Sequence, residues 1–193
     1  MDIDLAGIRL DSFDSKPSPL GSLVWSPGLL SRNGVRYLRC RTWRVNAKKD
    51  DLSALRSAKL ELAAAFVSGI CDDMEPLLFE MFGVGFFDAV VPVACGHSRR
   101  PNCLSVRIAV ELAGRIGAEL SKAFTDRFVS GSSHPKEFSR LPPLEVETVP
   151  KGRTLVVDDV ATSGFHMHEA LAVLRSHSIP AFGAVWLAGV RQE

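Results

Sequence analysis

The sequence has few cysteines, no long apolar run and almost no net charge, and each of these absences excludes a class of protein. Its four cysteines, at positions 40, 71, 95 and 103, form no CxxC pair, so neither a zinc ribbon nor a thioredoxin-like motif is expected. Thiols scattered in this way are typical of the reducing cytoplasm. No apolar run approaches the roughly 18 residues of a transmembrane helix. A net charge of +1 provides no overall field for nucleic acid or a membrane surface.

The start of the chain and its composition predict a cytoplasmic protein with one domain of ordinary size. Met1-Asp2-Ile3-Asp4 is acidic and lacks the pattern of a signal peptide. The 193 residues are 46% hydrophobic and 23% charged, which is normal for a soluble domain with a proper core.

Strand and helix patterns alternate along most of the chain. Residues 1–34 are rich in turn formers and are predicted to be an N-terminal extension or hood element, and residues 35–193 the main domain. Strands are predicted over 35–45, 88–93, 123–128, 144–149, 154–157 and 181–190, and helices over 50–71, 76–82, 104–116 and 165–177. This alternation indicates an α/β fold with a mostly parallel sheet flanked by helices. In such sheets ligands bind outside the carboxyl ends of the strands.

Two details of these elements are also predicted. Asp50 or Asp51 is expected to cap the helix over 50–71. The strand over 35–45 carries four arginines, which are expected on a solvated edge: Arg36, Arg39, Arg41 and Arg44.

The most informative segment begins with the apolar strand 154–157 and continues into two carboxylates, Asp158 and Asp159. Adjacent carboxylates repel each other, so the pair is not expected at this position for stability alone. A bound ligand rich in hydroxyl groups, or a metal carried by it, would relieve the repulsion. The small residues Thr162, Ser163 and Gly164 follow, and a helix starts at Phe165; together they offer backbone N–H groups to a phosphate. An Asp pair beside an ordinary strand–helix turn is the alternative interpretation.

The segment 156–164, Val-Val-Asp-Asp-Val-Ala-Thr-Ser-Gly, resembles the phosphoribosyl-pyrophosphate (PRPP) motif of type I phosphoribosyltransferases. The resemblance implies a Rossmann-like fold with a variable hood from the chain ends. It implies that Asp158 and Asp159 bind the ribose 2′- and 3′-hydroxyls. It also implies that Ala161, Thr162, Ser163 and Gly164 bind the 5′-phosphate. His166 stands where the family often has Thr or Ser, and the same role is predicted for it.

Two further segments complete the predicted site. Val90-Val91-Pro92-Val93 followed by Arg99 and Arg100 resembles the ComF-like branch of this family, which implies that the two guanidinium groups bind pyrophosphate and take part in catalysis. Residues 131–143 occupy the place of the family's flexible lid. The candidate lid residues are His134, Lys136 and Arg140, and an exposed polar loop with no role is the alternative.

The resemblance implies a phosphoribosyltransferase that uses PRPP and Mg²⁺, releases pyrophosphate and acts on a small-molecule acceptor that the sequence does not identify. The magnesium ion would be carried by PRPP, with contributions from Asp158 and Asp159. A non-catalytic PRPP- or nucleotide-binding regulatory protein and a ComF-like accessory protein are the alternatives. The zinc-binding cysteines typical of that branch are missing, so DNA-uptake roles do not transfer. Homodimers are common in the family, and Trp186 is expected to pack in the core.

Overall fold

A computed structural model describes residues 18–20, 23–43, 48–94, 103–125 and 142–189. Within these ranges there are six strands and four helices. The strands are β1 Val24–Arg32, β2 Val35–Thr42, β3 Ala89–Pro92, β4 Glu119–Leu120, β5 Thr154–Ala161 and β6 Ala181–Ala188. The helices are α1 Lys48–Glu61, α2 Ala64–Phe82, α3 Leu104–Ile116 and α4 Phe165–Ser176. The predicted fold class, an α/β domain with a mostly parallel sheet, is confirmed.

The strands form a single sheet in the order β1-β2-β6-β5-β3-β4, and only the β1–β2 pair is antiparallel. β1 comes from the predicted N-terminal extension, whose boundary at residue 34 stays a prediction. The chain leaves β3 through α3 toward β4 at one edge, and leaves β5 through α4 toward β6 in the opposite direction. The neighbouring strands β3 and β5 therefore flank a topological switch point, where open α/β sheets bind their ligands.

Two apolar clusters cover the two faces of the sheet. One contains Leu155 and Val157 of β5 together with buried residues of α2 and α3. The other contains Val156 and the buried face of α4, Met167, Leu171 and Leu174. Because successive strand residues point to opposite faces, the apolar run in β5 supplies both clusters. None of the helices in the described ranges is long and apolar enough to cross a membrane.

A buried ion pair links β2, α2 and β6. Arg41 donates from Nε and Nη2 to the two carboxylate oxygens of Asp73, at 2.5 and 2.8 Å. Trp186, fully buried as predicted, donates from Nε1 to the same carboxylate at 2.8 Å. The expectation of a solvated edge is therefore wrong for Arg41, and also for Arg39, which is 7% exposed and donates to Ser26. Both arginines are buried because β2 lies between β1 and β6 and is not an edge strand. Arg36 is exposed, and Arg44 lies outside the described residues.

The helix boundaries before β3 differ from the prediction. The chain breaks at Leu62, which has a left-handed φ of 47°, and α2 then runs without interruption through Pro76. Proline removes one backbone hydrogen bond from a helix, but the apolar residues around it are buried and keep the turn in place. Asp50 and Asp51 lie inside the first turn of α1, which begins at Lys48, and do not precede it.

The segments predicted as strands over 123–128 and 144–149 are largely irregular where the structure describes them. They meet in a single antiparallel bridge between Phe124 and Val146. The short strand β4, which the sequence did not predict, takes the sheet edge beside β3. A few backbone hydrogen bonds join the same two segments, from Thr125 to Glu145 and from Glu147 to Ala123, and the pairing stops there in the described residues.

Candidate functional site

The two carboxylates lie in the last half of β5, where one neighbouring strand has already ended. β3 pairs with β5 as far as Pro92 opposite Val157, whereas β6 continues beside β5 to Ala161. The predicted strand, which ended at Val157, is therefore four residues too short, because the ladder with β6 extends it. Asp158 and Asp159 thus lie beyond the end of β3, in the gap that opens beside β5 at the switch point.

Electrostatics make Asp158 the unusual member of the pair. Its Oδ1 accepts a hydrogen bond from the backbone N–H of Asp159 at 2.8 Å. Burial and the neighbouring charge of Asp159 raise the pKa of Asp158 well above its ordinary value, although Lys59 acts in the opposite direction. A carboxylate held in this way gains from any ligand that donates hydrogen bonds to its charged form.

Lys59, a residue that the sequence analysis missed, reaches the pair from α1. Its Nζ lies 2.7 Å from Oδ2 of Asp159, and the two side chains are 36% and 13% exposed. Lys59 lies in the last turn of α1, far from β5 in the sequence, and a lysine near a helix C-terminus is common for other reasons. No sequence signal distinguished it from the other lysines of the chain.

The turn after β5 brings the chain sharply into α4. Ser163 Oγ accepts a hydrogen bond from the backbone N–H of Phe165 at 3.2 Å, and the carbonyl of Gly164 accepts the first helical bond from His168 at 2.9 Å. Gly164 has φ 76° and ψ 8°, a left-handed conformation that glycine adopts at little cost. The helix therefore begins where the sequence predicted, with its first N–H groups at the turn.

Side chains from the β1–β2 hairpin support this turn from behind. The buried guanidinium of Arg32 donates to the carbonyls of Ala161 and Thr162, and the Asn33 side chain donates to that of Ser163. These two residues also escaped the sequence analysis, because they lie in the segment predicted as an extension. The only available signal was the hairpin pattern at Asn33-Gly34. That pattern predicts a turn, but it does not predict which distant segment the turn contacts.

His166 lies in the first turn of α4, partly buried, with its ring 5.6 Å from the ring of Phe165 in an edge-on arrangement. Its predicted role at the phosphate stays a prediction. The other predicted site residues, Arg99, Arg100, His134, Lys136 and Arg140, lie outside the described residues. The residues that flank 95–102 are nevertheless informative. The Val93 N–H bonds to the carbonyl of Val157, and Cys103 lies close enough to raise the pKa of Asp158.

The donor set at this site fits a metal ion only when a ligand brings further oxygens. In the parts of the chain that the structure describes, no group of three His, Cys, Asp or Glu side chains could hold a metal ion. Two carboxylates, one already paired with Lys59, leave most coordination positions of Mg²⁺ unfilled. A magnesium ion carried by phosphate oxygens would match this arrangement, because Mg²⁺ commonly binds proteins through one or two carboxylates plus substrate phosphates.

Comparison with known proteins finds similarity in solved structures. No protein-family model matches the sequence, and neither does any curated protein. The chain is similar to orotate phosphoribosyltransferase from Aeropyrum pernix, with 24% identity, a TM-score of 0.39, and coverage of 88% of this chain and 77% of that one. It is also similar to adenine phosphoribosyltransferase from Saccharomyces cerevisiae, with 16% identity, a TM-score of 0.43 and coverage of 84% and 83%. A further adenine phosphoribosyltransferase has 14% identity, a TM-score of 0.45 and coverage of 84% and 85%. TM-scores below 0.5 at these identities do not by themselves assign an activity.

Proposed function

We propose that this protein is a phosphoribosyltransferase that binds PRPP together with Mg²⁺. The observation that carries the proposal is the continuous run from Asp158 to Phe165 at the switch point between β3 and β5. It places an acid pair, a small-residue turn and a helix N-terminus on consecutive residues at the carboxyl end of the sheet. Carboxylates accept hydrogen bonds from sugar hydroxyls, and N–H groups at a helix start bind phosphate. One ligand with both groups, a ribose bearing a 5′-phosphate, matches the run.

In the proposed reaction, a nitrogen of the acceptor forms a bond to C1′ of the ribose while the bond from C1′ to the pyrophosphate oxygen breaks. The electron pair of that bond leaves with pyrophosphate, and the proton of the attacking nitrogen passes to solvent. Asp158 and Asp159 fix the sugar, and the turn at 162–164 fixes its phosphate, so positioning is the main contribution of the described residues. Mg²⁺ would supply charge neutralisation on the pyrophosphate oxygens. Arg99 and Arg100 are proposed to bind the same group.

A PRPP- or nucleotide-binding protein without turnover is the second candidate, because the acid pair and the turn account for ligand binding and not for chemistry. Asp159 is engaged by Lys59 at 2.7 Å, so the ammonium group must move or share the carboxylate before a sugar hydroxyl can bind there. This displacement lowers the affinity for PRPP in either kind of protein, so turnover has to be measured to separate the two.

Titration calorimetry with PRPP and Mg²⁺ tests binding, and pyrophosphate release with a panel of bases and amines separates the enzyme from the binding protein. The double substitution Asp158→Asn with Asp159→Asn should abolish PRPP binding and leave a folded protein, because amides keep the shape and lose the charge. Asp88→Asn is the matched control, since Asp88 is an exposed carboxylate paired with Arg153 near the opposite ends of β3 and β5. Unchanged PRPP affinity in the double variant would rule out the proposed site.

The remaining expectations are proposals of the same kind. Cys40, Cys71 and Cys103 are buried in the protein. We propose a cytoplasmic location, because thiols scattered along the sequence are typical of a reducing compartment. A homodimer and a small-molecule acceptor are likewise proposed.

A further inference from the structure

Three consecutive backbone carbonyls of the turn after β5 are held on one side by the β1–β2 hairpin. Arg32 Nη1 donates to the carbonyl oxygen of Thr162 at 2.6 Å and to that of Ala161 at 3.3 Å. Asn33 Nδ2 donates to the carbonyl oxygen of Ser163 at 3.0 Å. The hairpin thus fixes the orientation of three successive peptide groups.

The direction of the carbonyls determines the direction of the N–H groups. These peptide bonds are trans, and in a planar trans peptide the C=O and N–H bonds point in opposite directions. The N–H groups of Thr162, Ser163 and Gly164 belong to the same three peptide groups. They therefore point away from the hairpin. Successive N–H groups turned to one side form the concave arrangement that binds anions.

The position of Arg32 also suits this task electrostatically. It is 8% exposed, and its other terminal nitrogen donates to the carbonyl of Gly189, just after β6. The guanidinium fork joins the turn to the chain just after β6 with one rigid group, which the single ammonium of a lysine does not reproduce. Its charge lies behind the turn, where it attracts an anion without contacting it.

We propose that Arg32 and Asn33 are positioning residues that hold the N–H groups of Thr162, Ser163 and Gly164 ready for a phosphate group. That these N–H groups bind the 5′-phosphate of PRPP rests on the proposed function, whereas binding of a phosphate as such does not. Neither hairpin residue contacts the ligand in this arrangement. Both act through the turn.

The experiment follows the backbone amide resonances of ¹⁵N-labelled full-length protein during titration with inorganic phosphate. The amide signals of the three turn residues should shift saturably in the wild type. Arg32→Met should weaken phosphate binding about tenfold, which corresponds to about 1.4 kcal/mol. Asn33→Gly, which keeps the left-handed φ of 52° and removes only the side-chain donor, should weaken it about threefold. Arg36→Met, on the exposed side of the same hairpin, is the control and should bind phosphate like the wild type.

Two outcomes would overturn the proposal: turn amides that do not respond to phosphate in the wild type, or unchanged phosphate affinity in both hairpin variants. A purely structural role would lower the stability of the variants and leave the phosphate affinity of the folded molecules unchanged. If Arg32→Met does not fold, Asn33→Gly decides, because Asn33 is exposed. A parallel titration with PRPP and Mg²⁺ separates the two proposals. Phosphate binding at these amides without PRPP binding would support the positioning role and contradict the proposed function.

Discussion

Gly164→Ala should destabilise the protein more than Gly34→Ala, because the two glycines share a left-handed backbone and only Gly164 is closely packed. Gly164 has φ +76°, and a Cβ built there would lie 2.7 Å from the hydroxyl oxygen of Tyr37 and 3.2 Å from Cβ of Arg32. The left-handed backbone costs an L-residue about 1–2 kcal/mol. Overpacking against buried neighbours costs about 1–3 kcal/mol more. The free energy of unfolding should therefore fall by about 2–5 kcal/mol.

Gly34→Ala separates the two contributions. Gly34 has nearly the same conformation, φ +77°, but no atom of the described neighbouring residues lies within 4 Å of the position that a Cβ would take there. Its substitution should cost only the backbone contribution, about 1–2 kcal/mol. Urea denaturation followed by tryptophan fluorescence gives both values, with equal slopes expected because the same surface is exposed on unfolding.

A double-mutant cycle with Tyr37→Phe identifies the clashing atom. Removing the hydroxyl should recover part of the cost of Gly164→Ala and none of the cost of Gly34→Ala, so the coupling energy should be confined to the first pair. Equal costs for the two glycine substitutions, or no coupling to Tyr37, would refute the close packing of the turn against β2. Gly164→Ala should also weaken PRPP binding, because the same peptide groups are those proposed to bind its phosphate.

The other predictions concern charges. Burial and Asp159 raise the pKa of Asp158, so the folded state binds that proton more tightly than the unfolded chain, and stability falls as pH rises from the ordinary Asp pKa through the raised one. In urea denaturation at pH 7.5, the free energy of unfolding of Asp158→Asn should therefore exceed that of the wild type by about 1 kcal/mol. The difference should be smaller at pH 4. A variant less stable than the wild type at pH 7.5 would contradict this prediction. Lys59 lowers the pKa of Asp158. When PRPP affinity is measured as a function of pH, Lys59→Met should therefore lose affinity on acidification at a higher pH than the wild type. Lys49→Met, an exposed control on the same helix, should behave like the wild type. Arg41→Met leaves Asp73 buried without its cation and should lower the free energy of unfolding by about 3–5 kcal/mol. Arg153→Met removes one partner of an exposed ion pair and should lower it by less than about 1 kcal/mol. Similar costs for the two variants would contradict the burial of the Arg41–Asp73 pair.

The parts of the fold that the sequence predicted are those set by local patterns. The apolar run at 154–157, the turn at 162–164 and the periodic residues of α4 are contiguous, and each indicates its own structure without knowledge of distant residues. The parts that it did not predict depend on contacts between distant segments. Arg41 is buried in a central strand beside Asp73, which reaches it from α2. Likewise, β5 extends past Val157 only because β6 continues beside it.

The same distinction separates the predicted from the missed site residues. Asp158, Asp159 and the turn form one continuous motif, so a single stretch of sequence pointed to them. Lys59 and Arg32 reach the motif from α1 and from the β1–β2 hairpin. Lysine and arginine are usually solvated, and nothing in their immediate neighbours shows that these two are directed toward the site.

Lys59 also changes the argument that led to the site. Repulsion between adjacent carboxylates indicated a ligand, yet the ammonium group at 2.7 Å already relieves part of that repulsion in the protein itself. The relief is unequal, because Asp159 holds the ion pair, whereas no cation in the described ranges pairs with Asp158, whose pKa stays raised. We infer that the repulsion left for a ligand to relieve falls mainly on Asp158. In the proposed complex, a sugar hydroxyl that donates to Asp158 would gain the most, and one that reaches Asp159 would share that carboxylate with Lys59.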